Sequence, residues 1–414
     1  MHKRSIRKVF LVVLGVLVLG AWPGFAGCGS QEAEGAEFVI GYQGDFTGPG
    51  SAATRVVYDA FMDYLSMVEE EGLLPGITLR VVAYDNRTDY SRYTAGYMWL
   101  RGQGAELLLC PASTDIEMNA GNCARDNVPA VGTTGVESLA EHDWAYFLYE
   151  TQEAQNAGCL KWIADTWDYE EMGRAPRVGA VGLSGLLVCI ASVTGMEEFV
   201  ADNPEDIEWM GAEFAPLGTS AWAIEVKALM DCDFIVAATF GSAAGQFMKE
   251  ARLRGYDGAF ISSSMAFPGF WDTVRSSVEP SDLYECYHQH TCPWCDECSF
   301  ATSWQEAIVN CRPGYAETEI QLASYPTGWG WSIWVIDAIR RAAEEVGAEN
   351  LDGVAVQDAL ASTHLDMTSE GWGVVWEPTP ERHFVTHEVK TYRWNLDNEM
   401  WVAVSDEWVS IPPA

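Results

Sequence analysis

Basic residues are scarce in this sequence: its 414 residues carry 24 Lys+Arg against 60 Asp+Glu, a formal net charge of −36. Lys3, Arg4, Arg7 and Lys8 all sit in the first eight positions, so the remainder is more acidic still. That balance excludes nucleic acid and anionic membrane surfaces as partners. It reports solubility and environment and does not by itself argue for a cationic ligand. After the N-terminus no apolar run reaches membrane-spanning length. Signatures of catalysis are missing as well. There is no HExxH, no P-loop and no GxSxG, and Ser184 in Gly182-Leu183-Ser184-Gly185 lacks the spacing of a nucleophile turn. His142, His288, His290, His364, His383 and His387 pair with no obvious nucleophile in the sequence. The expectation is a chain that is not an enzyme and uses no cofactor. Internal repeats and low-complexity tracts are also absent.

Residues 1–27 read as a signal peptide. The four basic residues form its n-region, and Val9–Gly20 is an apolar core too short for a comfortable membrane span. Phe25-Ala26-Gly27-Cys28 resembles a lipobox, with Phe25 where leucine is usual. Lipid attachment at Cys28 is expected, with plain secretion as the alternative and residues 28–36 as a small, acidic tether. The mature chain is then extracytoplasmic. Its roughly 380 residues suit two or three domains or one large bilobed unit.

Eleven cysteines less Cys28 leave an even number for an oxidising compartment. Five cluster at Cys286, Cys292, Cys295, Cys298 and Cys311, with His288 and His290 nearby. Their spacing fits zinc as well as disulfides. Export and the even total favour disulfides, so no metal is assigned.

The chain is organised around Phe38–Glu70. Phe38-Val39-Ile40 is a short apolar run, Gly41–Gly50 is rich in glycine, and apolar residues then recur at helical spacing through Val57, Phe61, Tyr64, Leu65 and Val68, with Ser51 as the expected N-cap. A strand that feeds a helix through such a loop aims orphan N–H groups at whatever fills the loop. An ordinary βα connection explains the same pattern, and no lysine follows the loop to meet phosphates.

The alternation continues along the chain. Strands are predicted at Ile77–Tyr84, Glu106–Cys110 and Val128–Val131, the last leading into a polar loop, Gly132–Gly135. A second series follows, with strands at Arg177–Leu183, Ile207–Phe214, Phe234–Ala238 and Ala259–Ser262 and helices between them. Tyr284–Pro313 reads as an irregular, stapled excursion. Glu317–Val346 reads as a long helix interrupted near Tyr325–Gly328, with Trp331 and Trp334 in the core.

In order and spacing, several stretches resemble the solute-binding proteins of ABC transporters, of the leucine/isoleucine/valine-binding, type 1 periplasmic kind. They are IGYQGDFTGPG (Ile40–Gly50), ITLRVVAYDNRTD (Ile77–Asp89), AELLLCPAST (Ala105–Thr114), NVPAVGTTG (Asn127–Gly135), ARLRGYDGAFI (Ala251–Ile261) and GWGWSIWVIDAIRRA (Gly328–Ala342). The resemblance implies an α/β fold of two Rossmann-like lobes joined by a three-crossover hinge. Lobe 1 is expected over 37–149 and 289–378, lobe 2 over 150–288 and 379–414. It also implies a ligand held between the lobes and delivery to an ABC permease in the cytoplasmic membrane by a monomeric binding protein. Signalling to a membrane receptor is the alternative use of the same module.

The resemblance places Ser113 and Thr114 in a loop that grips a ligand carboxylate, and Thr133 and Thr134 in the next. Asp45 and Phe46 come from the first loop. Across the cleft Leu186, Phe240, Gly241 and Ser264 occupy contact positions. Ser264 stands where amino-acid binders carry a glutamate for the ligand's ammonium, so the expected solute widens to an amino acid, an amide or a small carboxylate. Cys110 matches a half-cystine of the family whose usual partner region, Asp85–Asp89, holds no cysteine. A Cys110–Cys123 bridge is expected instead.

Overall fold

The Phe38-Val39-Ile40 run is buried, as its composition predicts, in a first strand with sheet neighbours on both sides. The computed structural model describes residues 35–263, 267–291, 303–314, 324–370, 372, 374–379, 382–405 and 407–412. Strand β1 (Ala36–Gly44) lies beside β2 (Ile77–Asp85) and β3 (Leu107–Cys110), followed outward by β4 (Ala130–Gly135) and β5 (Ala145–Thr151). Helices α1 (Ser51–Glu71), α2 (Tyr90–Gly102) and α3 (Ser113–Asp126) make the crossovers that parallel strands require. The expected polar loop Gly132–Gly135 instead continues β4 to its end.

The second sheet is built from β6 (Arg177–Ser184), β7 (Glu208–Pro216), β8 (Phe234–Ala238), β9 (Ala259–Ser262) and β10 (Cys286–His290), all parallel. Helix α4 (Gln152–Thr166), the single turn α5 (Tyr169–Met172), α6 (Leu187–Asp202), α7 (Ala223–Leu229) and α8 (Gly241–Leu253) accompany it. A small ribbon pairs β11 (Leu365–Asp366) with β12 (Val375–Trp376). Then β13 (Phe384–Thr386) joins the first sheet beside β5, and β14 (Glu388–Asn395) joins the second beside β10. Antiparallel β15 (Met400–Ala403) and β16 (Val409–Ser410) pair with β14.

The sheet orders are therefore β13-β5-β4-β3-β1-β2 and β15-β14-β10-β9-β8-β6-β7. The chain passes between them after β5, after β10 and between β13 and β14, which gives two α/β lobes and three crossovers. Strand pairing puts Phe384–Thr386 with the first sheet and Gln289-His290 with the second, on the other side of the division drawn at 288/289 and 378/379.

Several local expectations are corrected. Cys286–His290 is an inner strand of the second sheet and Ser303–Cys311 a helix, so neither belongs to an irregular excursion. Cys292, Cys295, Cys298, Ser264 and the lipobox with Cys28 lie outside the described residues. The helix Ser324–Val346 runs without interruption, because Pro326 falls in its first turn, where a missing N–H costs nothing. Trp331 and Trp334 are buried in the first-lobe core, and Gly328 lets this helix close on α1, since a Cβ there would stand 2.6 Å from the Val57 carbonyl. Ser51 is not the cap of α1: Gly50 holds that position, and Ser51 Oγ donates back to the Gly48 carbonyl.

The Cys110–Cys123 bridge is not formed. Both are free, fully buried thiols in one apolar cluster of the first lobe, where they pack as small hydrophobes. Every cysteine among the described residues is free. Burial pushes the Cys110 thiol well above its ordinary 9.0 and that of Cys123 to about 12. A thiol reagent is expected to spare both in the folded protein and to label both on unfolding without reductant. Labelling that requires prior reduction would restore the bridge.

Candidate functional site

The carboxyl ends of the parallel strands in both lobes face one another, the position at which open α/β sheets bind ligands. Between them lies a cavity of about 180 Å³. That is roughly a dozen times the space one water needs.

Lobe 1 contributes its wall loop by loop. After β1, the Asp45 carboxylate holds the glycine loop from within. It accepts from the backbone N–H of Thr47 (3.1 Å), Gly48 and Gly50 (2.8 Å) and from Thr88 Oγ1 (2.7 Å). Asp45 thus lines the cavity while its acceptor capacity goes to the loop. Phe46 does not line it, because its ring packs on Tyr42 and Tyr58.

Ser113 and Thr114 are the first residues of α3 and line the cavity. No side chain caps this helix at Ala112, so neither hydroxyl is engaged as a cap. Thr133 and Thr134, at the end of β4, line the cavity as well, and Thr133 Oγ1 donates to the Pro111 carbonyl at 2.6 Å, which keeps its lone pairs on offer. Across the cleft Leu186 and Phe240 form part of the lining at the N-caps of α6 and α8. Gly241, at φ +60°, is not among the lining residues, and Ser264 is outside the described residues.

Sequence reasoning missed most of the lining. Tyr90 and Tyr93 occupy the first turn of α2, and the i, i+3 spacing behind the Asp85–Asp89 loop is the signal that could have found them. Tyr149, Gln152 and His290 come from the crossovers, Phe270 from the loop after β9, and Thr327 from the long helix. Tyr149 and Thr327 share a hydroxyl–hydroxyl bond at 2.7 Å. Phe240 and Phe270 stack with ring centroids 5.4 Å apart. No lysine or arginine lines the cavity among the described residues.

Asp115, also missed, lines the cavity and is fully buried. Its Oδ1 accepts from Gln43 Nε2 (2.6 Å) and Asn86 Nδ2 (2.9 Å), and its Oδ2 from the same Asn86 nitrogen (2.8 Å). Burial raises its carboxyl to about 7 despite those two amides, which favour the ionised form.

Tyr90 joins the lobes directly. Tyr90 Oη donates to the Gly185 carbonyl at 2.9 Å and accepts from the Leu187 N–H at 3.3 Å. Tyr90→Phe is expected to loosen lobe closure by about 1 kcal/mol, the worth of one such hydrogen bond. Small-angle scattering should show a larger radius of gyration for the variant; an unchanged profile would deny the clasp its role.

Among the described residues no group of three or more His, Cys, Asp or Glu is placed to hold a metal, and no helix is long and apolar enough to cross a membrane.

Two lobes, three crossovers and a cavity in the cleft define a bilobed binding module. A family model described as periplasmic binding protein matches residues 37–399, and the chain belongs to that family, which implies an extracytoplasmic location. No individually curated protein matches it in sequence. Solved structures share the fold. A branched-chain amino acid ABC transporter protein from Thermus thermophilus with bound valine has 14% identity and a TM-score of 0.76 over 91% of this chain and 97% of its own. A fatty acid ABC transporter substrate-binding protein from Thermomonospora curvata has 14% identity and a TM-score of 0.72 over 89% and 92%. A substrate-binding periplasmic protein from Ralstonia solanacearum has 17% identity and a TM-score of 0.73 over 88% and 99%.

Proposed function

We propose that this protein captures a small polar or amphipathic solute, an amino acid, an amide or a small carboxylate, between its lobes and delivers it to an ABC permease. It does so as a lipoprotein held by Cys28 outside the cytoplasmic membrane, and it performs no chemistry on the solute. The observation that carries this reading is the cavity itself. It draws hydroxyls from Ser113, Thr114 and Thr134 in one lobe and aromatic surface from Phe240 and Phe270 in the other. A solute that touches both walls favours the closed arrangement by the contacts it makes only there. Two of the structural neighbours named above, one with bound valine and one a fatty acid transporter protein, support a small amphipathic solute.

The test is a thermal-shift panel of amino acids, amides, aromatic acids and short peptides on the tag-free mature protein. A ligand at a hundredfold over its Kd adds about 2.7 kcal/mol, a readily measured shift. Silence across the panel would count against the reading. Radiolabelled palmitate incorporation that is lost in Cys28→Ser would establish the anchor; incorporation that survives that change would refute it.

A further inference from the structure

The electrostatics of the cavity bear on the charge of its solute. Helix N-termini facing a cleft ordinarily suit anions. Here the first lobe has supplied its own. Asp45 takes the N–H groups of the turn ahead of α1, Asp89 caps α2 by accepting from Ser91 N at 2.9 Å, and Asp115 stands in the first turn of α3. Asp45 and Asp115 line the cavity, 3% and 0% exposed, and no basic side chain does so among the described residues. Asp115 is held by two neutral amides and has no ion-pair partner among the described residues. A buried carboxylate without a counter-charge is costly, and a second anion beside it costs more. A cation relieves both.

The remaining wall suits a cation too. Tyr90 and Tyr93 stand edge to face at 5.5 Å in one lobe, and Phe240 and Phe270 stack in the other. Aromatic rings attract an ammonium group through their quadrupoles, more strongly when water is excluded.

We propose that the solute is a small organic cation, an ammonium or quaternary amine on an apolar body, received between these two aromatic pairs with Asp115 supplying the compensating charge from the first-lobe wall. This rests on the cavity being the solute site and replaces the amino acid, amide or carboxylate of the preceding reading with a cation.

Two matched trios test it by calorimetry on the mature protein. Choline, 3,3-dimethylbutan-1-ol and 3,3-dimethylbutanoate share a shape and differ in charge, as do phenethylamine, 3-phenylpropanamide and 3-phenylpropanoate. At least one cation is expected to bind tenfold or more tighter than its neutral isostere, with the acid weakest. Asp115→Asn is expected to cut that cation-to-neutral ratio at least fivefold. Phe270→Leu should lower the same ratio and serves where Asp115→Asn fails to fold. An acid that binds as well as its matched cation overturns the proposal, as does a ratio unmoved by the folded variants. Binding of only neutral or acidic members of the wider panel overturns it while the solute-binding reading stands. Silence from all of these compounds overturns both.

Discussion

Glu150→Ala is expected to destabilise the protein by about 3 kcal/mol, because it strips the partner from a buried charge cluster at the hinge. Glu150 lies near the end of β5, at the first crossover. Its Oε2 accepts from Arg382 at 2.8 Å and its Oε1 bonds His387 Nδ1 at 2.7 Å. Arg382 and His387 flank β13, on the last crossover, and Arg382 also pairs with Glu137 at 2.7 Å. One carboxylate thus ties two of the three strands of the hinge. Burial opposes ionisation of Glu150, yet hydrogen bonds and charge from His387 and Arg382 hold it below its ordinary 4.5. Burial likewise works against protonated His387, but Glu150 outweighs it and leaves the imidazole raised above 6.5.

The pH dependence follows from those two directions. A depressed carboxyl contributes stability above about pH 4.5 and loses it as pH falls through its lower folded value. A raised histidine contributes fully below about pH 6.5 and loses its share as pH climbs through its higher folded value. The cluster is complete between those limits. Urea unfolding of the wild type should show stability falling above pH 6.5, and Glu150→Ala should flatten that slope. Equal slopes in both proteins would show that His387 draws nothing from Glu150.

Gly195→Ala is expected to cost about 3 kcal/mol, at the upper end for an overpacked core. Gly195 is buried on α6 where that helix crosses α4. A Cβ would stand 2.3 Å from the Glu153 carbonyl oxygen and 2.4 Å from its Cα. These are backbone atoms on the element that follows the first crossover, so relief requires the two helices to part. The start of α6 carries Leu186 and Val188 into the cavity, and ligand affinity should fall with stability. A urea midpoint within error of wild type would show that α4 and α6 separate without cost.

The alternation of apolar strands and amphipathic helices was legible because each parallel strand is buried on both faces and each helix on one. Misreadings fell where local pattern and tertiary role diverge. Cys286-Tyr287-His288-Gln289-His290 has cysteine and histidines in the places where a surface loop would have them, yet it is an inner strand, because second-sheet neighbours on both sides satisfy its backbone. The Cys110–Cys123 bridge rested on the match of Cys110 to a half-cystine of the family, whereas packing seats each thiol in the core.

By itself the sequence determined the two βα series and a strongly acidic chain, for which strand-to-helix order and residue type suffice, since each depends on neighbours along the chain. The hydroxyls at Ser113, Thr114, Thr133 and Thr134 came from the resemblance to the family. Only the tertiary structure decided that Asp115, Tyr93, Tyr149, Phe270 and His290 share one cavity with them. These residues come from both lobes and the crossovers between them, and sequence spacing carries no record of which loops the closing of two sheets will bring face to face.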